Sequence, residues 1–272
     1  MRSASRQAAA ELTARQDSAL GSASADALIA AADECYAVAA LLVGQPRLRR
    51  TLGDPATEPQ SRAGLAGELL GGKVSAPVLD IVQAAVSARW SSPWDLCDAL
   101  ESAGDDALFS AAEKDGSLSE VEDELFRLER TLDAESDLAT LLDEQGAPAA
   151  RRVGLLDRLV AAKVSPITLA LLRHALSSER KRSLSLAIDD LLERSAARQE
   201  RSVARVVSAT PLTEQQEARL AAALGSMYGR AIVVRSATDP AVRGGLVVRI
   251  GDEVIDGTVA SRLAQARNAL AG

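Results

Sequence analysis

An internal repeat with a period of ninety residues constrains this chain more than any other feature. Residues 62–87, RAGLAGELLGGKVSAPVLDIVQAAVS, align without a gap on residues 152–177, RVGLLDRLVAAKVSPITLALLRHALS. Ten of the 26 positions are identical, including Arg62 with Arg152, Gly64 with Gly154, Lys73 with Lys163 and Ser75 with Ser165. Average residue usage in an Ala/Leu-rich background gives on the order of two or three such matches. The offset holds upstream, where Asp33-Glu34-Cys35-Tyr36 falls on Asp123-Glu124-Leu125-Phe126, and Leu48 and Leu52 fall on Leu138 and Leu142. A repeat of this length is the mark of a duplicated supersecondary module.

The module reads as helical. In the second copy, Ser119 and Glu122 have the spacing of a capping box, and Val121, Leu125, Leu128 and Leu132 follow at helical period. Gly146 and Pro148 are expected to close that stretch. Leu155, Leu156, Leu159 and Val160 mark a short helix after Arg152. Ser165-Pro166 then supplies an N-cap hydroxyl and a proline at the first helical position, opening a helix through Leu169, Leu172 and Leu176. Ser183 is positioned to cap one more, running toward Glu200; the first copy has its own opener in Ser75-Ala76-Pro77.

From Val203 the period changes. SVARVVSA, RAIVVRSA, GGLVVRI and EVID read as strands, and Thr213 to Gln216 as a capping box for a helix that ends near Tyr228 and Gly229. Gly251-Asp252 signals a hairpin turn, and Thr258 is a natural N-cap for a closing helix, SRLAQARNAL. The expected fold is mainly α: duplicated helical bundle modules at 1–105 and 106–201, then a small α+β domain at 202–272.

Composition agrees. Of 272 residues, 47% are hydrophobic but only 2% aromatic, so the core must be built of Ala, Leu and Val, which favours helix packed on helix. The net charge of -7 is spread along the chain, against a general nucleic-acid binder. Cys35 and Cys97 form no Cys-x-x-Cys motif, and a reduced, cytoplasmic compartment fits them. The start, MRSASRQAAAELTARQD, meets Glu11 and Asp17 before any apolar region develops and is not read as a secretory signal. The apolar run Cys35 to Pro46 is short of the roughly 20 residues that cross a bilayer.

Each group with chemical potential has a plainer reading. Asp252, Glu253 and Asp256 lack the ligand ladder of a calcium loop, and on a strand Glu253 and Asp256 point to opposite faces. His174, the single histidine, has no nucleophile or second histidine near it in sequence and reads as structural. Neither cysteine has a basic neighbourhood that would activate it. Gly71-Gly72-Lys73 lacks the spacing of a phosphate loop and reads as an interhelix turn. SSERKRS from Ser177 to Ser183, with Arg194, Arg198, Arg201 and Arg205, fits a solvated helix end, an acidic protein partner or a nucleic-acid contact. Trp90 and Trp94 fit either a sealed helix junction or a partner-facing anchor.

The ending GGLVVRIGDEVIDGTVASRL resembles the delta subunit family of the F-type ATP synthase, the oligomycin-sensitivity-conferring protein family. The match to the family pattern falls on Gly244, Gly245, Gly251, Asp252, Val254, Ile255, Asp256, Gly257, Thr258, Arg262 and Leu263. VSATPLTEQQ at 207–216, Asp239, and ALFSAAEKDGSLSEVEDELFRL at 107–128 are similar to that family as well. The likeness covers about 106–272, and the first copy is the departure from it, so the chain looks like a long variant.

The resemblance implies a connector with no catalytic site, metal or cofactor of its own. Its helical domain would grip the N-terminal helix of an alpha subunit, with Leu108, Phe109, Leu169, Leu172 and Leu176 as partner-binding candidates. Its C-terminal unit would engage the end of the b subunit. It would sit at the cytoplasmic face of the cell membrane, peripheral and held there only through the complex, with no direct nucleic-acid contact. The signature glycines and acids would serve structure. For the extra copy, a second alpha-helix groove, a longer spacer along b and a stiffening remnant stay open. A nucleic-acid or regulatory binding module using the Arg-rich 180–205 segment is the alternative, and a hydrolase resting on the acidic turn is the third class.

Overall fold

Serine and proline set most of the helix starts. The computed structural model describes residues 3–144, 146–178, 183–201, 203–228, 232–239, 242, 244–250 and 253–258. In chain order the first helices are α1 (Ser3–Leu20), α2 (Ala25–Gly44), α3 (Pro46–Gly53), α4 (Pro59–Leu70), α5 (Ala76–Ser87) and α6 (Pro93–Asp115). They continue with α7 (Leu118–Ala134), α8 (Ser136–Leu142), α9 (Ala149–Val160), α10 (Pro166–Ser177) and α11 (Leu184–Arg201). The remainder is β1 (Val203–Ser208), α12 (Glu214–Tyr228), β2 (Val233–Thr238), β3 (Leu246–Ile250) and β4 (Glu253–Asp256). The chain is mainly α with a small α+β C-terminal part, as the sequence implies.

The chain divides into two compact units, Met1–Arg194 and Ser195–Gly272. In the first, adding ninety to the bounds of α4 and α5 gives those of α9 and α10 to the residue. The same shift carries α1 onto the first eighteen residues of α6, and α6 onto the region of α11. Helix α6 is therefore the last helix of one copy and the first of the next. A helix packed from both sides needs apolar residues around most of its circumference. Helix α6 meets this with Leu96, Cys97, Leu100, Ala103, Gly104, Ala107, Leu108, Phe109, Ala111 and Ala112 among its buried residues.

Local chemistry explains where this helix begins and ends. Ser92 accepts from the Trp94 N–H and Pro93 occupies the first turn, while Gly116 at φ 71° closes the far end with its N–H on Glu113 O. Ser117 N then donates to Ala112 O at 2.8 Å, so the next helix starts at once. This corrects the capping box expected at Ser119: α7 begins at Leu118, its N-cap position is Ser117, and the Ser117 hydroxyl turns back to Ala112 O instead of capping the helix. The stretch expected to run to Gly146 and Pro148 is broken at Glu135 into α7 and α8.

Other starts match. Ser165 Oγ accepts from Thr168 N at 3.2 Å with Pro166 behind it, and Ser183 Oγ accepts from Leu186 N. Gly71-Gly72-Lys73 is an interhelix turn, with Gly72 at φ 71°. Helix α2 exceeds what its apolar run suggests: at 20 residues and mean hydropathy 1.7 it has the length and composition to cross a membrane. Here it turns Leu28, Ala31, Ala32, Cys35, Val38, Ala39 and Leu42 into the protein core.

The second unit holds a four-stranded sheet in the order β2-β1-β3-β4. β1 and β2 are parallel, which requires a crossover, and α12 supplies it. β1 pairs antiparallel with β3, and β3 with β4. Thr213 and Gln216 form the expected reciprocal cap: Gln216 N donates to Thr213 Oγ1 and Thr213 N to Gln216 Oε1. Ala204, Val206, Leu224, Ile232, Val248 and Ile250 make this unit's core. Gly229, the turn at Gly251-Asp252 and the closing helix lie outside the described residues.

Candidate functional site

In the acidic stretch near the C-terminus, the bonds are those of a strand ending. Gly257 N donates to Leu246 O at 2.9 Å, extending the register of β3 with β4. Asp256 Oδ1 accepts from Thr258 N at 2.9 Å, and that backbone bond holds its carboxyl below the usual range. Gly244 and Gly245 have φ of 71° and 82°, a region that strains any L side chain. At Gly245 a Cβ would also overlap Gly257 O. The glycine pair thus lets the chain enter β3 alongside the exit of β4. Glu253, on the opposite face from Asp256, accepts from Tyr228 Oη at 2.7 Å. Gly251, Asp252, Arg262 and Leu263 lie outside the described residues.

The helical candidates are placed differently from a contact surface. Leu108, Phe109, Leu172 and Leu176 are fully buried, and Leu169 alone keeps partial exposure. Helical periodicity reports an apolar face, and in this chain that face meets the other helices of the unit. Phe126 at 50%, Leu141 at 52%, Leu159 and Leu186 are the large apolar side chains left exposed on α7, α8, α9 and α11.

Two of the surface grooves among the described residues of the first unit are related by the duplication. One, of about 500 Å³, lies between α1 and α5; the other, of about 430 Å³, lies among α6, α10 and α11. Six positions of the first recur ninety residues on in the second: Ala8 and Asp98, Glu11 and Glu101, Leu12 and Ser102, Arg15 and Asp105, Ala84 and His174, Ala88 and Ser178. Their chemistry has diverged. The first keeps an alanine and leucine floor, with Arg15 pairing Asp80 across it at 2.5 and 2.7 Å. The second collects Asp95, Asp98, Glu101, Asp105 and Asp190 against Arg194. The ninety-residue alignment carried to α1 was the signal that finds both grooves, since repeated positions share a structural address.

The remaining candidates resolve into packing. Trp90 is buried with Nε1 donating to Ala85 O at 2.7 Å, sealing the α5 to α6 junction. Trp94 is 37% exposed with the Arg49 guanidinium 3.5 Å above its ring. Cys35 and Cys97 are buried, and burial first, then Glu34, pushes the Cys35 thiol up to about 12. Of the arginine-rich segment, Arg194 bonds Asp190 and Ser102, and Arg198 is buried, so neither is a solvated cation. Glu179, Arg180, Lys181 and Arg182 lie outside the described residues. Among the described residues no group of three His, Cys, Asp or Glu is arranged to hold a metal ion.

Comparison with known proteins adds a match of residues 106–270 to the model of a family described as ATP synthase delta (OSCP) subunit. Similarity to curated proteins extends across both copies. The chain is 42% identical over 272 residues to an "ATP synthase subunit delta" of Streptomyces griseus, covering 100% of each. It is 43% identical over 257 residues to that of Salinispora arenicola, covering 94% of each. An "ATP synthase subunit b-delta" of Mycobacterium sp. (strain KMS) is 41% identical over 270 residues, which is 99% of this chain and 61% of that protein.

Proposed function

The chain belongs to the ATP synthase delta (OSCP) subunit family, and from that premise we propose that it is a non-catalytic connector in the peripheral stalk, tying the F1 head to the b subunit. It resists rotation of the head while proton flow drives the central shaft, and it performs no bond-making step itself. The observation that carries the reading is the family match over most of the chain together with end-to-end similarity to named delta subunits.

In this reading the first unit holds the amphipathic N-terminal helix of an alpha subunit. The α1/α5 groove has an alanine and leucine floor that suits such a ligand. The α6/α10/α11 groove surrounds Leu171, Ala175 and Leu191 with carboxylates that suit one carrying basic residues, and both grooves have the dimensions of a binding cleft. Leu169, half-exposed on α10 but outside the lining of both grooves, and the packed Leu108, Phe109, Leu172 and Leu176 support the helices that form them. The C-terminal unit, built on the Gly244 to Thr258 signature and continuing through Arg262, engages the C-terminal end of b. The Mycobacterium relative's printed name, b-delta, joins the two subunits' names for one protein and supports an association with b here. The chain acts at the cytoplasmic face of the cell membrane, held there by the complex. The division into 1–105, 106–201 and 202–272 records how it was built, by duplication of a helical module ahead of an α+β domain.

The test is retention of F1 by the immobilised full-length chain, with Ala84→Trp to fill the α1/α5 groove and Ala175→Trp to fill the α6/α10/α11 groove. We expect the second to release the alpha subunit, and the first to do so only if the extra copy also holds one. Failure of the unaltered chain to retain alpha subunit refutes the connector reading.

A further inference from the structure

One aromatic ring joins the two copies, held between two titratable groups. Tyr36, on α2, stacks on His174, on α10, with ring centroids 3.5 Å apart and planes 13° from parallel. Its hydroxyl donates to Asp105 Oδ1, on the shared α6, at 2.7 Å. Gly104 admits the ring, because a Cβ there would overlap it.

Both flanking groups are half-buried at the edge of the α6/α10/α11 groove, and desolvation moves them in opposite senses. His174 Nε2 is shut from solvent with no hydrogen-bond partner, so a proton added to the ring gains no acceptor, and burial lowers its pKa to about 4. The Asp105 carboxyl is pushed up to about 7 by burial, against the opposing pull of Arg194 and the Tyr36 hydroxyl, with Asp106 and Glu101 adding to the rise. Tyr36 and Cys35 face the cluster from α2, His174 from α10, Arg194 with its partner Asp190 from α11, and Glu101 and Asp106 from α6 itself. Helix α1 brings the neutral Gln16, whose amide donates to Ala103 O at 2.7 Å.

We infer that Asp105, Tyr36 and His174 form a pH-compensated joint between the two copies, in which proton linkage at Asp105 and at His174 opposes, so that the packing of α2 and α10 on α6 keeps its strength through mildly acidic to neutral pH. Asp105 and His174 also line the α6/α10/α11 groove, and the joint is a property of the subunit with that groove empty. Asp105, raised, contributes stability that is present below its unfolded value and is lost as pH rises toward 7. His174, lowered, contributes stability that is present above its ordinary value and is lost as pH falls toward 4. Between these limits one contribution fades as the other grows.

The measurement is hydrogen exchange of α2, α6 and α10 peptides in the full-length chain from pH 5 to 6.5, corrected for the intrinsic rate. The unaltered chain is expected to change its opening equilibrium by less than about threefold over that range. In Asp105→Asn, opening grows as pH falls, and in His174→Phe, which keeps a stacked ring, it grows as pH rises, each by up to about tenfold per unit. Parallel profiles in all three proteins overturn the joint, as does an unaltered chain that follows either variant. If Asp105→Asn fails to fold, carbon NMR of the unaltered chain decides: a carboxyl midpoint near 7 at Asp105 supports the joint, and an ordinary carboxylate midpoint overturns it.

Discussion

Glu124 and Ser165, 41 residues apart, meet at the start of α10, where the Glu124 carboxylate accepts the Ser165 N–H at 2.9 Å and the Thr168 hydroxyl at 2.6 Å. Ninety residues earlier Glu34 accepts the Ser75 N–H at 2.8 Å and its hydroxyl at 2.7 Å. A carboxylate on orphan donors at a helix N-terminus is favoured by the bonds and by the helix dipole. The second copy buries its version and the first leaves it exposed. We expect Glu124→Gln to cost about 2 kcal/mol, in the range of hydrogen bonds to a charged group. Glu34→Gln should cost under about 1 kcal/mol, since the remaining amide oxygen can accept both Ser75 bonds and water solvates the site. Urea midpoints of the two variants, at unchanged slope, check the difference.

Buried Arg62 and Arg152 offer a second comparison at equivalent positions. Arg62 donates from Nη1 to Ala88 O at 3.1 Å and from Nη2 to Ser87 O at 3.3 Å, leaving only Nε buried without a partner, whereas Arg152 has both Nε and Nη1 buried without partners. Removing a guanidinium that satisfies carbonyls leaves those carbonyls unpaired; removing one whose own donors are stranded relieves a desolvation cost. Arg62→Met should therefore destabilise by about 2 kcal/mol, and Arg152→Met should be close to neutral, within about 1 kcal/mol. A thermal unfolding series on the two variants distinguishes them, and equal losses would refute the assignment.

Gly104 and Tyr36 fit one another as cavity and ring. Adding a methyl at Gly104 forces the ring to shift, and overpacking of this kind costs about 1–3 kcal/mol. If the ring is the cause, Gly104→Ala should cost less than about 0.5 kcal/mol more once Tyr36→Ala has emptied the space. A double-mutant cycle in denaturant reads the coupling directly.

Much of this architecture was legible because short motifs with a single physical reading coincide with the repeat. Ser165-Pro166 can only open a helix, and the aligned Ser75 opens its counterpart even though its hydroxyl turns to Glu34 instead of capping. What stayed hidden depended on contacts across the sequence. The 105/106 boundary, set where the family resemblance begins, falls inside the 23-residue helix α6, where Gly104 makes room for the Tyr36 ring from α2. Leu108, Phe109, Leu172 and Leu176 have the right period for a partner groove, but period does not say which surface an apolar face meets. Strand order in the sheet was likewise invisible, because the first strand, β1, lies inside the sheet between β2 and β3, a placement that sequence order does not dictate.

The C-terminal signature should fail structurally when altered. Gly245 combines φ of 82° with a Cβ position that would overlap Gly257 O, so Gly245→Ala both strains the backbone and separates β3 from the end of β4. Left-handed strain of this kind costs about 1–3 kcal/mol where nothing relieves it. The loss should appear as faster amide exchange in β1, β3 and β4, with the exchange of α2 and α6 unchanged, because the two units have separate cores. Asp256→Ala removes the acceptor for the Thr258 N–H and hydroxyl and should act on the same strands more weakly. If the signature serves the connector through its fold, Gly245→Ala loses b-subunit capture in proportion to that local opening. Capture lost with exchange unchanged would mean instead that these residues touch the partner directly.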